Sequence, residues 1–334
     1  MRALTVRGPH QVVLEDRPEP VAAAGELVIA PTVVGMCGTD LDIIDGEIDP
    51  NYVSYPIVIG HEWAGRVVSG GEGIEAGTRV VVEGVVPCGH CAECLTGATN
   101  RCLNYDEFGF NRDGAAADLL VCPARLVHPL ADEVSWESGA LVEPAAVVYR
   151  ALDRANPAPG ARVLVVGDGS VALLAARLAQ LWEPAHVTML GARPAQASLA
   201  DWAGVALFTC DPAEAGTGYS LVVEAAGAAA ATEVALSAPA RGGTVVVLGF
   251  PGQGVAVPLA VDDLVNGDIT VAGSFSYTSA AWAAVVRELN AGRLDLGALV
   301  THRFPLSDYA AAIDALRDSD GVRGKVLVDV NSHD

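Results

Sequence analysis

Lysine is almost missing from this chain of 334 residues; the only one is Lys325. Schiff-base chemistry, which needs an amine nucleophile, therefore has a single candidate, in a stretch that reads as a terminal strand. Bases of every kind are scarce, with 20 Lys and Arg against 41 Asp and Glu and a net charge of −21. A field of that sign repels a nucleic acid duplex and an anionic membrane, and excludes both as main partners. Long uncharged apolar runs are absent too. The most apolar stretch, 161–182, is broken by Arg162, Asp168 and Arg177, so no segment is expected to span a bilayer. The opening Met1-Arg2-Ala3-Leu4-Thr5-Val6 lacks the apolar core of a signal peptide and reads as a short strand. These absences together predict a soluble cytoplasmic protein.

What is present is Gly, Ala and Val in a chain 51% apolar, long enough for two domains. Residues 1–147 carry short β-like runs at 11–15, 26–30, 65–68, 79–82 and 117–121, separated by Gly and Pro, which predicts an irregular, mostly β domain. After Glu143-Pro144 the rhythm changes. Strands expected at 162–166, 186–190, 221–224, 243–248 and 269–273 alternate with helical stretches such as 170–182 and 228–237. That alternation predicts an α/β fold with a doubly wound parallel sheet over 148–275. Residues 276–334 then return to the first domain, with helices at 280–290 and 307–316 and a last strand at 324–330.

There are seven cysteines, an odd number, and no export signal, which argues for metal rather than a disulfide framework. Cys88, Cys91, Cys94 and Cys102 are spaced C-x2-C-x2-C-x7-C. Four soft thiolates at that spacing make a closed tetrahedral zinc site, whose full shell leaves no position for substrate and so serves stability. His90 lies within this loop and is expected to be solvated. Cys37, His61 with Glu62, and Glu143 each sit among small or turn-forming residues. One thiolate, one imidazole and one or two carboxylates suit a zinc ion with an exchangeable position.

Gly35-Met36-Cys37-Gly38-Thr39-Asp40, Gly60-His61-Glu62, the four-cysteine lobe, Glu143-Pro144 and the glycine-rich turn at 167–172 together resemble the zinc-containing medium-chain dehydrogenases of the alcohol dehydrogenase superfamily. Ala140-Leu141-Val142-Glu143-Pro144 and Leu299-Val300-Thr301-His302-Arg303-Phe304-Pro305 look most like the polyol, sorbitol and threonine dehydrogenases. The resemblance implies a GroES-like catalytic domain beside a Rossmann domain. It implies a catalytic zinc on Cys37, His61 and either Glu62 or Glu143, with Asp40 orienting His61. It gives Thr39 the substrate proton; where many relatives carry a relay histidine three residues on, this chain has Asp42. It also implies zinc-dependent hydride transfer to or from a small polar alcohol or ketone: a polyol, sugar or cyclitol, or alternatively a threonine-type amino-alcohol. A non-catalytic relative of the fold is the remaining reading, which retention of the full ligand set disfavours.

Gly167-Asp168-Gly169-Ser170-Val171-Ala172 follows an expected strand and precedes an expected helix, the context that makes G-x-G-x-x-A a dinucleotide fingerprint. Gly167 makes the tight turn, Gly169 lets the backbone approach the pyrophosphate, Ser170 and Val171 open the helix whose N-terminus receives it, and Ala172 permits close packing. An NAD site carries an acid at the end of the second strand. Here Gly191 stands there and Arg193 follows, able to pair with a 2′-phosphate. This predicts NADP(H) over NAD(H), and a reversal on exchanging Gly191→Asp with Arg193→Ser. Two zinc ions per chain are expected. So is a homodimer or homotetramer, because the last strand, at 269–273, would leave an unprotected sheet edge.

Overall fold

The computed structural model describes residues 1–318 and 321–331. The chain divides into two compact units, one of residues 1–143, 278–318 and 325–331, the other of 144–277 and 321–324. The first boundary falls at Glu143/Pro144, in the first turn of the helix Val142–Ala155, which also contains the expected 147/148. Residues 321–324 go with the second unit because they are tied to it by hydrogen bonds. The buried Gln196 donates from Nε2 to the Arg323 carbonyl at 2.8 Å and accepts the Arg323 N–H at 3.0 Å. Ser170 Oγ donates to the Gly324 carbonyl at 2.8 Å.

The first unit is built on a seven-stranded sheet. Its strands run in the order Val127–Pro129, Arg79–Val82, Glu62–Val67, Glu26–Met36, Lys325–Asp329 and Val300–Pro305, with Leu120–Pro123 also pairing with Glu26–Met36. All pairings are antiparallel except that of the last two strands in this order. Burial alternates along the first half of Glu26–Met36, as expected of a strand with one face on the core. That core holds Ile29, Ile59, Trp63 and Phe108, with the last two rings edge to face at 5.5 Å. Register decides function here. Gly35 pairs with Glu62 and Met36 with Val326, so Cys37, Glu62 and Lys325 arrive at one end of the sheet from three distant parts of the chain.

The second unit is a six-stranded parallel sheet in the order Leu207–Thr209, His186–Leu190, Arg162–Val166, Tyr219–Glu224, Pro239–Val247, Thr270–Gly273. This is the doubly wound arrangement, with its strand-order reversal beside Arg162–Val166. Leu207–Thr209 is an additional strand that the sequence reading does not contain; three residues are too few to carry a period. The helix Ser170–Ala179 buries seven residues, Ala172 among them. By contrast the helix Val261–Gly267 buries none, and the edge strand Thr270–Gly273 is mostly exposed. Among the described residues, no helix is long and apolar enough to cross a membrane.

Candidate active site and metal centres

Cys37 closes the strand Glu26–Met36 and caps the helix Gly38–Asp45. Its sulfur accepts the Thr39 N–H at 3.3 Å, and Asp40 Oδ2 accepts the Cys37 N–H at 2.9 Å. This reciprocal cap fixes the thiol, Thr39 and Asp40 in one rigid turn. His61 enters between them. Its Nε2 lies 3.3 Å from Cys37 Sγ, and its Nδ1 faces Asp40 Oδ1 at 3.5 Å. Glu62 completes the group: one ligand atom from each of Cys37, His61 and Glu62 falls within 4.8 Å of the others. Gly35 makes room for it, since a Cβ there would stand 2.4 Å from Glu62 Oε2.

These residues fit a zinc ion on three counts. The 3.3 Å sulfur–nitrogen separation is close to the edge of a zinc tetrahedron, roughly 3.6 Å for ordinary Zn–S and Zn–N lengths. Buried atoms at the site lack hydrogen bonds, namely His61 Nδ1 and Asp40 Oδ1. The pairing of Nδ1 with a carboxylate is the arrangement that orients a metal-bound imidazole. Third, the surroundings call for positive charge. Burial works to lower the His61 pKa, yet the Asp40 carboxylate and Cys37 thiol outweigh it and hold it well above 6.5.

Glu143 stands outside the tight group but within its electrostatic reach. Burial first, and the Glu62 carboxylate second, push it up to about 8. Two further residues belong to this environment, and the sequence assigns neither of them to it. Lys325 is 4% exposed and contacts both oxygens of Glu62, with Oε1 accepting its hydrogen bond. Burial opposes its charge, but Glu62 and Cys37 raise its pKa nonetheless. The signal was there: a sole lysine in an apolar strand needs a buried anion. Glu107 is raised to about 7 by burial and feels the charge of His61. Three residues on, the Phe110 ring packs 5.4 Å from the His61 ring. No motif marks Glu107; only folding brings it near. Thr39 is partly exposed in the first turn of its helix, and Asp42 lies three residues further along it. Asp42 is raised by burial and by Glu47, Asp45 and Asp40.

The four-cysteine lobe comes together as a second group, with the sulfurs of Cys88, Cys91, Cys94 and Cys102 within 4.8 Å of one another. None is disulfide-bonded. Cys88–Cys94 at 3.9 Å and Cys91–Cys102 at 4.0 Å match the roughly 3.8 Å sulfur–sulfur edge of a four-thiolate zinc tetrahedron. The Cys94 N–H and other donors lower the Cys91 thiol to about 6, so a thiolate is at hand near neutral pH. His90 is exposed, and its ring bonds the Cys88 carbonyl at 2.8 Å.

The glycine-rich turn fits a dinucleotide pyrophosphate. Gly167 has φ +125°, and a Cβ there would lie 2.9 Å from the Ala225 carbonyl. A Cβ on Gly169 would meet nothing, so the space over the N-terminus of Ser170–Ala179 is open, and no side chain caps its first N–H groups. Val171 is partly exposed in that first turn. Ser170 enters the first turn as expected, but its hydroxyl is engaged by the Gly324 carbonyl.

At the end of the second strand the outcome is less simple. Arg193 is not a free surface charge: its Nε and Nη2 donate to Asp168 Oδ1 at 3.1 and 2.8 Å. Its Nη1 is buried and has no hydrogen-bond partner among the described residues. Gly191 cannot simply become the missing acid. A Cβ would stand 2.8 Å from the Phe208 ring and 2.9 Å from Asp168 Oδ2, so Gly191→Asp forces both aside. The exchange expected to reverse cofactor preference would therefore also have to displace Phe208 and Asp168.

Known proteins resemble this chain along its length. The alcohol dehydrogenase GroES-like domain matches residues 23–132, and the zinc-binding dehydrogenase family matches residues 169–291. An L-threonine 3-dehydrogenase of Alteromonas mediterranea is 30% identical over 95% of this chain and 95% of its own. Galactitol-1-phosphate dehydrogenase from Escherichia coli superposes with a TM-score of 0.87 at 26% identity, covering 99% of this chain and 100% of that one. A zinc-binding dehydrogenase structure from Sinorhizobium meliloti 1021, bound to NADP, has a TM-score of 0.91 at 25% identity and covers 98% and 99%.

Proposed function

The chain belongs to the zinc-binding alcohol dehydrogenase family, and from that premise we propose that it moves a hydride between NADP(H) and the secondary alcohol or ketone of a polyol, sugar or cyclitol. The observation that carries this reading is the convergence of Cys37, His61 and Glu62 within 4.8 Å, with Asp40 behind the imidazole and Glu143 close by. These residues would hold one zinc, and the four cysteines a second. When bound, the metal supplies Lewis acidity toward the substrate oxygen and the dinucleotide supplies the hydride. The chain's own residues do the rest. Asp40 keeps the His61 ring oriented. Thr39, whose backbone N–H bonds the Cys37 sulfur, holds the substrate hydroxyl's proton on its Oγ1. Asp42, one turn along the same helix, is the next acceptor, its raised pKa suiting that task.

NADP(H) preference is supported by the absence of an acid at Gly191, by the spare Nη1 of Arg193 and by the NADP-bound relative. A dimer or tetramer is supported by the exposed edge strand Thr270–Gly273 and the wholly unburied helix Val261–Gly267. A second reading, oxidation of a threonine-type amino-alcohol, is favoured by the 30% identical relative and by Glu107, a buried carboxyl raised to about 7 that a nearby ammonium group would draw into its charged form.

The test is a panel of polyols, sugars, cyclitols and amino-alcohols assayed with both cofactors on zinc-loaded enzyme. Turnover of polyhydroxy substrates is the expected result. Turnover confined to amino-alcohols replaces the first reading with the second, and none across the panel rejects both.

A further inference from the structure

Asp168 is the middle residue of the Gly167-Asp168-Gly169 turn, and the end of the second strand is organised around it. Its Oδ2 accepts the N–H groups of Ala192 and Arg193, each at 2.8 Å. Its Oδ1 accepts Nε and Nη2 of Arg193. Arg193 Nη2 also donates to the Asp168 carbonyl at 3.0 Å, and that carbonyl takes Gln196 Nε2 at 2.7 Å. The pair is little exposed, 20% for the Arg193 side chain and 10% for that of Asp168. Burial opposes the Asp168 charge, but these four donors hold its carboxyl below the usual range, so it is anionic at any working pH.

Two consecutive backbone N–H groups and a guanidinium edge form a site for an oxyanion. Here the chain fills that site with its own carboxylate. The filling explains Gly191 as well, since Asp168 Oδ2 and the Phe208 ring occupy the volume a side chain would take. A strand-end acid is therefore missing from the sequence position where it is sought, while a carboxylate reaches the same strand end from the glycine-rich turn.

We propose that Asp168 is a built-in competitor for the cofactor's 2′-phosphate and the residue that sets cofactor discrimination in this chain. It holds the N–H pair and the Nε/Nη2 edge of Arg193, and leaves a 2′-phosphate only Nη1, which is itself buried, beside a like charge. NADP(H) is thus bound less tightly than Arg193 and the absent strand-end acid would allow. The identity of the competing anion rests on the NADP(H) reading above.

The test is equilibrium binding of NADPH, NADH and 2′,5′-ADP to the zinc-loaded full chain and to Asp168→Asn, followed by fluorescence and calorimetry. The Kd of NADPH and of 2′,5′-ADP is expected to fall about tenfold, while that of NADH stays within about twofold. NADPH binding unchanged, weakened, or altered in step with NADH overturns the proposal. If Asp168→Asn does not fold, Arg193→Ala decides. Leaving the carboxylate unopposed, it should weaken NADPH at least tenfold and spare NADH; equal binding of NADPH to this variant and the unmodified chain overturns the proposal. A chain that prefers NADH, yet gains NADPH selectively in Asp168→Asn, rejects the NADP(H) reading and keeps Asp168 in its role. A chain that prefers NADPH, with an unaltered ratio in Asp168→Asn, does the opposite.

Discussion

Lys325 and Glu62 form a buried ion pair directly behind the candidate catalytic metal site, 4% and 2% exposed, with the ammonium against both carboxylate oxygens. Removing one partner of such a pair strands the other charge in the interior, at a cost of about 3–5 kcal/mol. Lys325→Met is expected to destabilise the metal-free protein by that order. The loss should be smaller in zinc-loaded protein, where the ion compensates Glu62. Adding Glu62→Gln should recover much of it, giving a measurable coupling in a double-mutant cycle of thermal unfolding. Strictly additive effects would show that the pair does not act as a unit.

The two cysteine sets predict two different failures. Cys94→Ala removes a thiolate from the proposed closed shell, whose metal would contribute folding free energy. It should lower Tm markedly or cause aggregation. Cys37→Ala should leave a folded chain that retains one zinc of two and loses turnover by several orders of magnitude. Metal analysis beside thermal unfolding checks both, and an active Cys37→Ala would remove that residue from the catalytic site.

The edge strand Thr270–Gly273 carries Val271, 39% exposed, next to a helix whose Val261 and Val265 are 63% and 73% exposed. A lysine on such an edge blocks pairing between sheets. The unmodified chain is expected at twice or four times its 34.3 kDa in light scattering, and Val271→Lys at a lower multiple. A 34.3 kDa species alone in the unmodified chain rules out assembly through this edge.

Asp168 also makes an acid-limb prediction. Its folded pKa lies below the ordinary 3.8. Its stabilising contribution is therefore complete above 3.8 and is lost as pH falls through the lower folded value. The Tm difference between the unmodified chain and Asp168→Asn should be flat from about pH 5 to 8 and shrink below about pH 3.8. A difference that instead grows on acidification contradicts the assigned charge.

Glu107 separates the two substrate readings. If it faces an ammonium group, Glu107→Gln raises KM for a threonine-type amino-alcohol by about tenfold, the worth of one charge-assisted bond, and leaves polyols unchanged. An equal effect on both classes assigns Glu107 to the general environment of His61.

The sequence by itself determined the fold class and named the residues of both candidate ligand sets, with Glu62 and Glu143 as alternatives at one position. Cysteine spacing, the Gly-His-Glu and Gly-x-Cys-Gly-Thr-Asp segments and the glycine-rich turn are local patterns, and local patterns survive in a linear string. Period and alternation gave five of the parallel strands. They missed Leu207–Thr209, which is too short to show a period. What only the tertiary structure decided is which charges meet. Lys325 and Glu62 are 263 residues apart in sequence and touch because strand register joins Met36 to Val326 and Gly35 to Glu62. Arg193 looked available because its partner is not a sequence neighbour: Asp168 lies 25 residues back, beyond the nearer Glu183, and reaches it from the end of the adjacent parallel strand. Long-range pairs of this kind are set by packing and desolvation, and a buried charge takes whichever partner the fold delivers.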